Sequence, residues 1–196
     1  MEKKEYKCTA ATKEALFQAI ISLANEKEYD KITIRDICNR AEISIGSFYH
    51  HFRSKEELAK ATCSHVDQLI NPDFVELCKK NSPEENLYHV LKIYAEYVSQ
   101  AAGRLLKAYY KVLVEETSVS VFMPEGLYYK TVQNILKDWQ ENGGISQEED
   151  LTDLTDYCIR SVRGLFFDWC LHDCSYDLIH QFEKDYRKFI YGLKGE

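Results

Sequence analysis

The 196-residue sequence is poor in chain breakers, with three prolines and eight glycines. That scarcity excludes collagen-like and linker-like chains. Hydrophobic residues at 45% exclude a disordered one. No apolar run approaches the roughly 18 to 20 residues that a membrane helix needs, so no membrane partner is expected. The opening MEKKEYKCTA lacks the apolar segment of a signal peptide, so export is not expected. No CxxC pair occurs. The seven cysteines are odd in number and scattered, which reads as reduced thiols in a cytoplasmic protein. No GxSxG, HExxH, P-loop or Rossmann glycine pattern is present. Neither an enzyme nor a metal or other cofactor is therefore expected.

What is present is helix. At about 150 residues per domain, the chain is one large domain or two small ones. Its net charge of −7 argues at first against nucleic acid. The distribution reverses that argument. Residues 1–70 carry 11 basic and 11 acidic side chains, whereas residues 71–196 carry 14 and 21. Within 31–60 the basic ones lead by six to four. An acidic body carries a locally basic head.

Periodicity places the elements. Leu16, Ala19, Ile20 and Leu23 share one face of a helix over 12–27. Thr33, with Asp36 three residues on, predicts a capped short helix whose apolar positions are Ile34, Ile37, Cys38 and Ala41. Ser44 predicts a second short helix, 45–51, that buries Phe48 and leads to Phe52, which reads as packing. Ser54-Lys55-Glu56-Glu57 forms a capping box for a longer helix with Leu58, Ala61, Thr62, His65 and Leu69 on one face. Pro72 marks a boundary. Further helices are expected from Ser82-Pro83 to about residue 102, over 104–117, from Pro124-Glu125 to Gly143-Gly144, from Ser146 to about His172, and over 176–192 after a Ser175 cap.

Two short helices joined by a tight turn and packed on a longer one make a helix-turn-helix. Ala41 suits the crossing, and Ile43 and Phe48 fill the space between the helices. The second helix would present Ile45, Gly46, Ser47, Tyr49, His50 and His51, a short, polar and aromatic face suited to a DNA major groove. Arg35 and Lys55 flank it as phosphate partners, and the first-turn amides beginning at Lys55 offer another anion site. Adjacent His50 and His51 point about 100° apart on a helix, which disfavours a metal pair.

The run from Thr33 to Leu58, above all Gly46-Ser47-Phe48-Tyr49-His50-His51-Phe52 followed by Ser54-Lys55-Glu56, resembles the DNA-binding segment of the TetR family of bacterial repressors. The likeness extends from Leu16 to Ala61. It implies phosphate or sugar contacts for Thr33, Ser47, Tyr49 and Lys55, base contacts for Arg35, Ile45, Gly46 and His50, and either for His51. Ser44 belongs to the same DNA-binding set. The chain departs from the family at Glu42 and Glu28, where glycine is common, and at Ile45, where lysine is frequent. A positive φ at Glu42 would strain it.

In the body, Ile179, Phe182, Tyr186, Phe189 and Leu193 make a bundle-type seam on the last helix. The preceding helix carries Leu154, Val162, Leu165 and Trp169 on one side and Ile159, Phe166 and Cys170 on another. A helix apolar on two sides buries both. The expectation is a homodimer through Leu154, Val162, Leu165, Trp169, Ile179, Phe182, Tyr186 and Phe189, which agrees with the four-helix dimer bundle that the resemblance implies. Fourteen tyrosines are many for this length. Tyr94, Tyr97, Tyr109, Tyr110, Phe122, Tyr128 and Phe166 are expected to line a pocket for a small hydrophobic or aromatic effector. Cys170 and Cys174 read as buried or idle thiols rather than a zinc or redox pair.

The reading is all-α: an N-terminal three-helix helix-turn-helix domain over 1–53, a connecting helix over 54–70, and a helical effector-binding and dimerisation domain over 71–196. The expected function is a cytoplasmic repressor, released from a pseudo-palindromic double-stranded operator by its effector. The alternative is a coactivator or adaptor of the same fold that binds no DNA.

Overall fold

The computed structural model describes residues 2–63, 65–100, 103–115 and 126–194, without the side chains of residues 2–9, Arg104, Val112, Leu113 and Glu115. Every regular element among the described residues is helical: α1 Glu2–Glu26, α2 Ile34–Arg40, α3 Ile45–His51, α4 Lys55–Cys63, α5 Pro72–Cys78, α6 Pro83–Gln100, α7 Gly103–Glu115, α8 Leu127–Glu141, α9 Leu151–Leu171 and α10 Leu178–Lys194. Short 3-10 turns lie at Tyr29–Lys31 and His65–Leu69. The all-α expectation holds.

The chain divides into two compact units. One is residues 1–64 with 100–117, the other 65–99 with 118–196. In the first, α1 packs on α2, α4 and α7, and α4 lies along α7. Leu16, Ala19, Ile20 and Leu23 are buried, as their spacing requires. Ile37, Phe48 and Leu58 join them with no exposed surface. In the second unit α9 packs on both α8 and α10, so its two apolar sides are used within the chain.

Local chemistry explains most helix ends. The Thr33 hydroxyl accepts from the Asp36 amide at 3.1 Å and the Asp36 carboxylate accepts from the Thr33 amide at 2.8 Å, a complete capping box. Ser44 accepts from the Ser47 amide at 3.1 Å. Gly143 takes φ 73° past the end of α8, and the Gly144 amide reaches back to the Trp139 carbonyl at 3.0 Å.

Several expected boundaries move, the first being that α1, expected over 12–27, spans Glu2–Glu26. The helix opened by Ser54 stops at Cys63, and His65–Leu69 follows as a 3-10 turn. An apolar stripe fits either winding, so spacing alone did not show the break. At Ser54 only half of the box forms: the Glu57 amide donates to Ser54 Oγ at 3.1 Å, but the Glu57 carboxylate accepts from the Arg53 amide instead. Asp150, not Ser146, caps α9, accepting from the amides of Thr152 and Asp153. The Gln140 side chain donates to the Ser146 and Glu149 carbonyls and holds that stretch as a loop. Asp177, not Ser175, caps α10 through the His180 amide. Pro124 and Glu125 lie outside the described residues, and α8 starts after Gly126.

Candidate nucleic-acid interface

α2 and α3 form a two-helix unit across the turn Ala41–Ser44. Its inner side is set by Ile37, Cys38 and Phe48, all buried. Phe48 sits against Phe52 at 6.2 Å between ring centroids, and Phe52 against Phe17 of α1 at 6.0 Å. Phe52 is therefore core, as its spacing indicates. The unit is also pinned electrostatically. Lys27 Nζ donates to Asp36 Oδ2 at 2.8 Å, and that bond, with the Thr33 amide and hydroxyl, holds the Asp36 carboxyl well below the usual range. Arg40 grips Glu26 with two nitrogens at 2.8 and 2.7 Å and also meets Ser22. Its guanidinium lowers the Glu26 carboxyl. These pins tie the face of α2 opposite the reading surface to α1.

The outer face carries the predicted DNA set. Ile45 is 43% exposed and Tyr49 55% exposed. Thr33, Arg35, Ser44, Gly46 and His50 are exposed, and Ser47 and His51 half-buried. Arg35 makes no hydrogen bond or ion pair among the described residues. Burial, helped by His50 and Lys13, lowers the His51 pKa. A Cβ on Gly46 would meet nothing nearer than Ser44 Oγ at 3.8 Å. The packing within the chain leaves room for a side chain there. Lys55 differs from the rest. Its ammonium is turned toward the chain, onto the carbonyls of Tyr29 at 2.9 Å and Ile32 at 3.0 Å.

The two departures from glycine have opposite outcomes. Glu42 has φ 56°, the left-handed region that glycine favours. Glu28 has φ −56° and carries no such strain. Glu42→Gly is expected to stabilise the head by about 1 kcal/mol. A raised urea midpoint would show it. An unchanged or lowered midpoint would mean that the glutamate side chain offsets its backbone.

In the second unit the structure gathers part of the expected effector set. Tyr94 packs edge-on to Tyr128 at 5.1 Å and to Phe166 at 4.9 Å, and all three are buried. The Tyr128 hydroxyl is buried and makes no hydrogen bond among the described residues, and burial raises its pKa well above the phenol value. Tyr97 is half-buried on α6. Tyr109 and Tyr110, 5.7 Å apart, lie on α7, which counts with the first unit. Phe122 lies outside the described residues.

The expected dimer seam is also divided. Leu154, Val162, Trp169 and Phe182 are buried inside the single chain, because α9 is packed from two sides. Val162, Leu165, Phe182, Tyr186 and Phe189 line an open groove with Leu91, Ser161 and Asp185. Ile179 is half-buried. Tyr157, Phe167 and Leu171 of α9 and Tyr191 of α10, none of them in the expected seam, are exposed. At 100° per residue Tyr157, Phe167 and Leu171 fall on one side of α9, apart from the seam set by the most apolar spacing. Cys170 is buried and Cys174 lies in the turn after α9 at φ 55°. Among the described residues no cluster of three or more His, Cys, Asp or Glu is placed to hold a metal, and no helix is long and apolar enough to cross a membrane.

Two short helices packed within a three-helix head, in a chain with a second helical unit, are the architecture of helix-turn-helix proteins. Residues 16–62 match the model of the bacterial regulatory proteins of the tetR family, so the TetR resemblance seen in the sequence is shown. Among curated proteins nothing matches. Among solved structures, the Thermus thermophilus FadR, a TetR-family repressor in complex with lauroyl-CoA, is 22% identical. The match covers 92% of this chain and 94% of that one, with a TM-score of 0.66. The Bacillus subtilis regulator FadR, in complex with stearoyl-CoA, is 15% identical over 93% and 98%, with a TM-score of 0.63. A protein solved for the control of antibiotic production by bacterial hormones is 19% identical over 95% and 97%, with a TM-score of 0.67. These likenesses show a TetR-type fold over more than nine-tenths of the chain.

Proposed function

We propose that this protein is a DNA-binding transcriptional repressor that works as a homodimer and is released from a pseudo-palindromic operator by an apolar small molecule. The observation that carries the reading is the outer face of α2 and α3. Arg35, Ile45, Gly46, Tyr49 and His50 stand exposed on a unit whose inner side is buried and pinned to α1. Arg35 supplies a cation for a phosphate, and Tyr49 and His50 supply polar reach toward phosphates and base edges. Ile45 offers a thymine methyl an apolar contact where a lysine would offer charge. No catalytic role is assigned to any residue.

The second copy would cover the outward stripe of Tyr157, Phe167 and Leu171 on α9 with Tyr191 on α10, and the neighbouring groove at Leu165, Tyr186 and Phe189. Helix-turn-helix dimers read half-sites about 34 Å apart, so the dimer sets the operator spacing. Tyr94, Tyr128 and Phe166 would form the wall of the effector site, with the unpartnered Tyr128 hydroxyl as its hydrogen-bond donor. The acyl-CoA ligands of the two FadR structures support an effector with a long apolar part. Effector binding would favour a second spacing of the heads, and a few kcal/mol of coupling is enough.

The test is fluorescence anisotropy on DNA flanking the protein's own gene, run against random duplex across a salt series. Tight binding to one site that weakens steeply with salt is the expected result. Equal, weak and salt-insensitive binding to both duplexes would favour a DNA-free adaptor of the same fold.

A further inference from the structure

The family resemblance puts Lys55 on a DNA phosphate, yet its cation is engaged inside the head. Lys55 is the first residue of α4. Its Nζ donates to the carbonyl oxygens of Tyr29 at 2.9 Å and Ile32 at 3.0 Å, and lies 4.2 Å from the centroid of the Tyr29 ring. Both carbonyls flank the 3-10 turn that joins α1 to α2. An ammonium has three donors, so two are spent on the turn and a ring lies against the same group. The Tyr29 hydroxyl is buried and makes no hydrogen bond among the described residues, and burial raises its pKa far above the phenol value. The ring is held where its hydroxyl gains nothing. What it offers there is its face, and Lys55 takes it.

We propose that Lys55 is a positioning residue: it fastens the α1–α2 turn to the start of α4, and thereby sets the angle at which α2 and α3 meet DNA, without supplying a phosphate contact. The geometry gives the tether leverage. Both the turn and α4 pack against α7 within the same unit. With Lys55 in place, the turn and α4 move as one body, and the reading helix follows. The inference rests on the DNA-binding reading, but the two fail in different ways.

The test uses the whole 196-residue chain and a duplex enriched from a random-sequence library by the unaltered protein. Lys55→Met removes the charge and donors and keeps the stem. Tyr29→Leu removes the ring and keeps the lysine, and Tyr29→Phe removes only the hydroxyl. All are measured below the unfolding temperature of each variant. Lys55→Met and Tyr29→Leu are each expected to lower affinity for the selected duplex about tenfold, the effect of one lost interaction of about 1.4 kcal/mol. The double variant should be no weaker than either single one, because both break one unit. Affinity for random duplex and the slope of log affinity against log salt should stay unchanged, and Tyr29→Phe should behave as the unaltered protein. A salt slope reduced by about one charge in Lys55→Met, with both DNAs weakened alike, would overturn the proposal and return Lys55 to the phosphate backbone. So would Tyr29→Leu leaving selected-duplex affinity unchanged. If the unaltered protein enriches no duplex, the regulator reading fails. The tether is then judged on thermal unfolding of the head, where non-additive losses in the two variants support it and unchanged midpoints overturn it.

Discussion

Phe48→Ala is expected to remove about 3 to 5 kcal/mol from the folded head, the range for deleting a fully buried aromatic ring. The ring has 0% exposure and lies at the contact of α3 with the three-helix head, 6.2 Å from Phe52. The head is small, and a loss of that size is a large part of a typical domain's stability. α3 has only seven residues and is too short to persist alone, so it depends on this anchor. Denaturant unfolding followed by a probe in the head should show the midpoint collapse, and sequence-specific DNA binding should go with it. The control is the adjacent Tyr49→Ala. Tyr49 is 55% exposed, so its removal should leave the midpoint within about 0.5 kcal/mol while DNA affinity drops. Equal stability losses in the two variants would mean that Tyr49 is a packing residue and that the reading face is wrongly assigned.

Gly144→Ala is expected to destabilise the body by about 2 to 4 kcal/mol, the upper range for forcing atoms into a packed site. An alanine Cβ at this position would overlap Nε1 and Cδ1 of Trp139. Trp139 is itself buried on α8 and cannot swing into solvent as a flexible side chain could. The neighbouring Gly143 gives the contrast. It has φ 73°, but a Cβ there would meet nothing within 4 Å. Gly143→Ala should therefore cost only the left-handed backbone strain, about 1 to 2 kcal/mol. The ratio of the two losses, read from urea unfolding, separates steric overlap from backbone conformation. If Gly143→Ala proves the more damaging, close packing of Trp139 is not what selects glycine at 144.

The DNA-binding head was legible because its signals are local. The caps at Thr33 and Ser44 act over three residues, and the apolar spacing of α1, α2 and α3 needs no knowledge of distant chain. The strain at Glu42 was flagged only through the family resemblance, which has glycine at that turn, and φ 56° in the structure meets that condition. The body was less legible. Its helices are apolar on more than one side, and periodicity cannot say which side meets a neighbour in the same chain. The expected seam contains buried Val162 and Trp169 beside half-buried Leu165 and Phe189, and periodicity ranks all four alike. Ser146 and Ser175 were reasonable caps by residue type. Gln140 and Trp169, each reaching across to a following loop, moved the helix starts to Asp150 and Asp177.

By itself the amino-acid sequence determined that the chain is helical, where its reading helix begins and ends, and which side chains that helix turns outward. Those are properties of neighbours along the chain, settled by backbone caps and a 3.6-residue period. The tertiary structure alone decided where the charge of Lys55 goes and which face of α9 is left bare. Lys55 meets carbonyls 26 and 23 residues away, and α9 is covered by α8 and α10. A side chain's partner at that separation depends on how whole helices pack, and packing is fixed by the joint burial of many residues that no single segment contains.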